Sequence, residues 1–184
     1  MQATKAIDQW VICTFLLPTL LTSPITAQAT KDNLAVEIIR RFYKHHLDHV
    51  HSSRTDVRPG IRFSKAFSET FLKSAAICKQ HQDIPCGWGA DGDPYLDAQE
   101  IDPKLDYLNS RIQIKTIAHN TIQVKLNVYP SAKNAGSFYD RTILYKIIME
   151  HGRPVVDDII YRSGVSARKE LIMEQVRYSN TIPQ

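Results

Sequence analysis

The sequence is short of the residues on which most recognisable chemistry depends. It has three cysteines in 184 residues, Cys13, Cys78 and Cys86. That is too few for a four-cysteine zinc site, and no two form a Cys-x-x-Cys redox pair. There is no Gly-x-Ser-x-Gly, no Gly-rich phosphate loop and no His-Glu-x-x-His, so the signatures of serine hydrolases, phosphate-cradling loops and zinc proteases are missing. No run of five Lys or Arg occurs. The formal net charge of +4 is dispersed among acids, with Glu37 near Arg40 and Lys169 beside Glu170. Such a balance describes a solvated surface of mixed sign and gives no ground for a nucleic-acid partner. The apolar stretch Trp10 to Leu21 contains Pro18 and falls short of the roughly 20 residues that a bilayer-spanning helix needs.

What is present is the composition of a folded chain, 43% hydrophobic and 23% charged. The length suits one domain. Residues 1–29 differ from the rest: Lys5, then the apolar stretch, then a less apolar segment ending Ala27-Gln28-Ala29. That order matches a signal peptide with a small-x-small cleavage site, although Asp8 offsets Lys5. The expectation is cleavage after Ala29, one domain over residues 30–184, a periplasmic or secreted location, and no permanent membrane span. An uncleaved anchor is the alternative. Cys13 follows Ile12 rather than a small residue, so it is a poor lipoprotein cysteine. Cleavage leaves Cys78 and Cys86, an even count that in an oxidising compartment points to one disulfide closing a nine-residue loop. Two unconnected thiols are the alternative.

Hydrophobic periodicity predicts a helix over about residues 33–50, with Leu34, Ile38, Phe42 and Tyr43 on its buried face, Val36, Ile39 and Leu47 widening it, and Asp32 or Asn33 as the cap. A second helix is expected over about 64–79, with Ser64 or Ser68 as cap and a stripe of Phe67, Phe71, Leu72, Ala75 and Ala76. Residues 80–104 are rich in Asp, Gly and Pro and predict a long irregular connection of the kind that often carries function. The period then changes to two. Strands are expected over 112–118, 122–128, 138–149 and 155–161, with turns at His119-Asn120 and His151-Gly152. Ser166 should cap a short closing helix carrying Leu171, Ile172 and Val176. Helices followed by a strand meander predict an α+β fold: N-terminal helices packed on a curved, cone-like antiparallel sheet, with a short C-terminal helix.

The segment Asp91-Gly92-Asp93-Pro94-Tyr95-Leu96-Asp97-Ala98-Gln99, the closing strand His151 to Tyr161 and the opening helix with Phe42-Tyr43 resemble a family of exported bacterial domains of unknown function. The resemblance covers roughly residues 34–161. It implies an architecture like that of nuclear transport factor 2, a helix-backed curved sheet, and implies no activity. Arg153-Pro154 departs from the Trp-Lys-like pair expected at the start of the last strand.

Three groups of residues are candidate sites. Asp91, Asp93, Asp97, Glu100 and Asp102 place five carboxylates within twelve residues. Dense oxygen ligands can wrap Ca²⁺, but Tyr95 and Leu96 break the EF-hand register, and Asp residues also build turns. With Trp88 and Tyr95 the same loop is a candidate protein-binding patch. His45, His46, His49 and His51 cluster at the end of the first helix. His45 and His49 share a face and could hold a transition metal with Asp48 nearby, or simply suit the helix C-terminus. Aromatics along the sheet could line a ligand cavity or fill a core. The leading functional expectation is a small binding module of the bacterial envelope that contacts another protein as an inhibitor or immunity-type partner. A ligand or calcium carrier is the first alternative. A hydrolase or isomerase using Asp93 and His119 is the second.

Overall fold

A computed structural model describes residues 24–52, 60–81, 85–132, 134 and 136–179, with side-chain surroundings from Asn33 onward. Most of the expected leader, residues 1–23, lies outside the described residues. The first helix, α1, runs from Pro24 to His49. It therefore starts ahead of the anticipated cap at Asp32 or Asn33 and continues through Ala29. Its buried face is Ala35, Ile39, Phe42, Tyr43 and Leu47, which recur at the spacing of one helical stripe. Leu34 is 46% exposed and Ile38 only half-buried, so the stripe is rotated by about one residue from the expected one. Phe42 and Tyr43 set this rotation, because the two rings are the bulkiest groups on the helix to be buried.

The second helix, α2, spans Lys65–Cys78. The Ser64 Oγ accepts the Phe67 N–H at 3.0 Å, the cap that the sequence allowed. Its packed face differs from the expected stripe. Phe67 and Ser74 are buried, while Leu72 is 64% exposed and Phe71 sits at the surface. The cause lies in the last helix, α3, Ala167–Ser179. It packs along α2 through polar contacts, Ser74 Oγ donating to Glu174 and Gln175 Nε2 to the Thr70 carbonyl. Ser166 caps α3 by accepting the Lys169 N–H. Of its three expected apolar residues, only Leu171 is buried.

The strands β1 (Gln113–Ala118), β2 (Thr121–Asn127), β3 (Asp140–Glu150) and β4 (Arg153–Ile160) form one antiparallel meander in sequence order. Asn120 is left-handed in the first turn, and His151 and Gly152 are both left-handed in the third, with φ of 50° and 75°. The latter pair is the backbone a two-residue hairpin of right-twisted strands prefers. Register shifts at Thr116/Ala118 and Lys146/Ile147 bend the sheet, as bulges do. The inward residues Ile122, Val124, Leu126, Ile143, Tyr145 and Ile159 are nearly inaccessible. They pack on the buried stripe of α1, and α2 and α3 complete the layer beside β4. The fold is α+β, as the order of periodicities predicts. Among the described residues no helix is long and apolar enough to cross a membrane.

At the centre lies a chain of buried hydroxyls. The Tyr43 hydroxyl donates to the Tyr95 carbonyl at 2.6 Å and lies 2.9 Å from the Tyr145 hydroxyl. A carbonyl only accepts, so Tyr43 spends its proton there and Tyr145 must donate to Tyr43. Burial raises both phenols well above their ordinary pKa, so both stay neutral.

Candidate functional site

The loop between α2 and the sheet is irregular but not loose. Leu96 is fully buried and anchors its middle in the core. Asp93 and Ala98 form an isolated bridge, with Asp93 N–H donating to the Ala98 carbonyl at 2.8 Å. The Asp93 carboxylate turns back to accept the Tyr95 N–H at 2.8 Å, a local turn that Asp readily makes. Its other oxygen meets His46 Nε2 at 2.7 Å, which fastens the loop to α1. Gly92 has φ +151°, and a Cβ there would meet the Ala98 carbonyl oxygen at 2.4 Å, so only glycine closes this turn. At the loop's start a disulfide joins Cys78 and Cys86, as the cysteine count suggested.

One wall of an open groove of about 500 Å³ is this loop, and the other is α3. Asp91, Asp93 and Asp97 line it from the loop, and Glu170 and Glu174 from the helix. Arg177 lines it as well. The carboxylates feel one another. Burial, then Asp97, Glu174 and Asp91, raise the Glu170 carboxyl above its ordinary pKa. Glu174 is held firmly, accepting Ser74 Oγ at 2.5 Å and the Gly87 N–H at 2.7 Å. A groove of this sign, open to solvent, attracts cationic groups such as Lys and Arg side chains. Sequence reasoning missed Glu170 and Glu174. The available signal was their four-residue spacing, which places both on one helix face.

The other expected site residues fall elsewhere or take other roles. Trp88 and Tyr95, expected to face a partner, are both half-buried, and Trp88 lines the floor of the groove. The Trp88 ring meets Phe63, Phe67, Phe71 and Tyr95 edge-on, and its Nε1 donates to the Tyr161 hydroxyl at 2.6 Å. It is the plug beneath the groove. Glu100 is exposed just beyond the groove lining. Asp102 is buried, accepting the Lys104 and Ser131 N–H groups at 2.9 and 2.7 Å. The Ser131 hydrogen bond holds its carboxyl below the ordinary range. His45 and His49 are exposed and stacked 4.4 Å apart, with His49 Nδ1 donating to the His45 carbonyl. Asp48, their expected companion, pairs instead with Lys44 at 2.7 Å, which lowers its pKa. His119 does not approach Asp93. It sits in the β1–β2 turn on a separate cavity of about 230 Å³, and the partner of Asp93 is His46, so the Asp93–His119 pairing does not assemble. Among the described residues, the group of three potential metal ligands lying within 4.8 Å of one another is Cys78, Cys86 and Glu174. The loop aspartates and the helix histidines do not converge in this way.

No protein-family model matches the sequence, and no curated protein matches it. Among solved structures it is similar to a protein of unknown function from Bacteroides thetaiotaomicron VPI-5482. The two are 18% identical, the match covers 73% of this chain and 95% of that one, and the TM-score is 0.47. A likeness at that level carries no functional argument.

Proposed function

We propose that this protein is an exported binding module that holds a basic segment of another protein in the acidic groove, as an inhibitor or immunity-type partner would. The observation that carries the reading is that carboxylates from two distant stretches, Asp91 to Asp97 and Glu170 to Glu174, line one groove. The chain as a whole is cationic at +4, so this local negative field is a departure from its average surface. A peptide Lys or Arg entering it would gain charge-assisted hydrogen bonds in a partly desolvated setting. The walls are rigid, tied by Asp93–His46, Glu174–Gly87 and the disulfide, which keeps the ordering cost of binding low. The disulfide is consistent with an oxidising compartment. The exported-domain resemblance, whose Asp91 to Gln99 segment forms one wall, belongs to the same reading.

The test is native mass spectrometry of complexes captured from envelope extracts, followed by titration of the captured partner. A 1:1 protein complex is expected, weakened by salt and by the combined substitutions Asp91→Asn, Asp97→Asn and Glu170→Gln. Three neutralised contacts at about 1 kcal/mol each imply roughly a hundredfold loss. Unchanged affinity in that variant would remove the groove from the proposal. A retained small molecule or Ca²⁺ in place of a protein would favour the carrier instead.

A further inference from the structure

Glu174 has neighbours that a basic partner does not account for. One of its carboxylate oxygens and the Sγ atoms of Cys78 and Cys86 lie within 4.8 Å of one another, all half-buried. They sit where the end of α2, the start of the groove loop and α3 meet. We propose that the reduced protein binds a single zinc-type divalent cation through Cys78, Cys86 and Glu174, so that disulfide and metal are alternative clasps on the same loop.

Two thiolates and one carboxylate form a donor set suited to Zn²⁺, which is taken by S, N and O ligands in tetrahedral sites. The two Cα atoms are 5.3 Å apart. In a tetrahedral site with Zn–S of about 2.3 Å the two sulfurs stand roughly 3.8 Å apart. Rotation about the Cα–Cβ bonds reaches that span from this backbone. Glu174 is already oriented by Ser74 Oγ and the Gly87 N–H, the kind of supporting hydrogen bonds that position metal ligands. His81 is the candidate fourth ligand. His81 follows Cys78 by three residues, and its N–H donates to the Cys78 carbonyl at 2.9 Å. Its Nε2 is buried and has no hydrogen-bond partner among the described residues, an arrangement that is unfavourable until something occupies it. The ring now lies tilted against Tyr178, 5.2 Å between centroids, and would swing toward the ion, with water as the alternative fourth ligand.

The chemistry balances in two steps. A cellular dithiol reduces the Cys78–Cys86 bond by thiol–disulfide exchange and becomes a disulfide itself. The cation then displaces one proton from each thiol, releasing two protons to solvent and forming two metal–sulfur bonds.

The full chain carrying Cys13→Ser has only these two thiols. Reduced with a phosphine and titrated with Co²⁺, it should bind one ion per chain and show a thiolate-to-cobalt charge-transfer band in the near ultraviolet. Zn²⁺ should abolish that band and raise the melting temperature of the reduced protein. The oxidised protein should show neither effect. Glu174→Gln keeps an acceptor for Gly87 and should weaken Zn²⁺ binding at least tenfold. His45→Ala with His49→Ala should leave it unchanged. Circular dichroism of Cys78→Ser with Cys86→Ser establishes whether the fold survives without the bond. A missing charge-transfer band would overturn the site. So would unchanged binding in the Glu174 variant, which would mean that the thiolates bind in an unfolded segment, or loss of binding in the histidine variant. Each of these readouts is independent of the basic partner.

Discussion

Removing one hydroxyl from Tyr43 should cost more than removing one from Tyr145, although both rings are fully buried and lie side by side. In the hydrogen-bond chain Tyr145 donates to Tyr43, and Tyr43 donates to the Tyr95 carbonyl. Tyr145→Phe leaves Tyr43 bonded to its carbonyl and forfeits one neutral hydrogen bond, about 1 kcal/mol. Tyr43→Phe strands two groups, the Tyr145 hydroxyl and the Tyr95 carbonyl. At about 1–3 kcal/mol for each stranded group, and with the carbonyl only partly buried, the cost is about 3 kcal/mol. The double variant strands only the carbonyl, so it should lose about 2 kcal/mol, less than the Tyr43 single variant. The non-additivity is then about 2 kcal/mol, within the range seen for residues sharing one network. Urea unfolding of the disulfide-intact protein measures all four corners, provided the m-values agree. A Tyr145→Phe cost equal to or above that of Tyr43→Phe, or additive losses, would refute the assigned direction of donation.

Four further outcomes are expected. Trp88→Phe keeps the aromatic plug but breaks the bond to Tyr161, so it should cost about 1 kcal/mol in chemical denaturation, and Trp88→Ala several times that. Gly92→Ala cannot place its Cβ beside the Ala98 carbonyl; the Asp93 amide should lose hydrogen-exchange protection while the sheet amides keep theirs. Replacing both Cys78 and Cys86 by Ser should cost roughly 2–3 kcal/mol, the chain-entropy value for a loop this short, read from the shift in urea midpoint. Glu170 has a raised pKa through burial and its acidic neighbours. An acid whose folded pKa lies above its unfolded value destabilises the fold when ionised, and the cost is relieved as pH falls through the folded pKa. Glu170→Gln should therefore raise the melting temperature at neutral pH, with the gain fading as pH falls through the raised folded pKa and lost below the ordinary glutamate value of 4.5. An equal gain at pH 3 would contradict that cause.

The sequence by itself determined the elements and their order. Periodicity near 3.6 followed by periodicity of two is a local property, so helices before a four-stranded meander, the caps at Ser64 and Ser166 and the turns at 119–120 and 151–152 were all legible. The disulfide was legible from cysteine count. The aspartate-rich segment was visible as unusual composition. Tertiary structure decided where that composition sits, on one wall of a groove opposite α3. Whether Leu34 or Ala35 faces inward depends on what waits across the interface, and the Phe42–Tyr43 pair facing Tyr145 and Tyr95 settled it. The contacts that shape the groove join residues far apart in the chain: His46 with Asp93 across 47 positions, Trp88 with Tyr161 across 73, Gly87 with Glu174 across 87. Periodicity carries no information about such pairs, because it reports which side of an element is buried and not what it is buried against. For that reason the packing of Trp88 as a plug at the groove floor, and the place of Glu170 and Glu174 on the groove's other wall, emerged only from the tertiary structure.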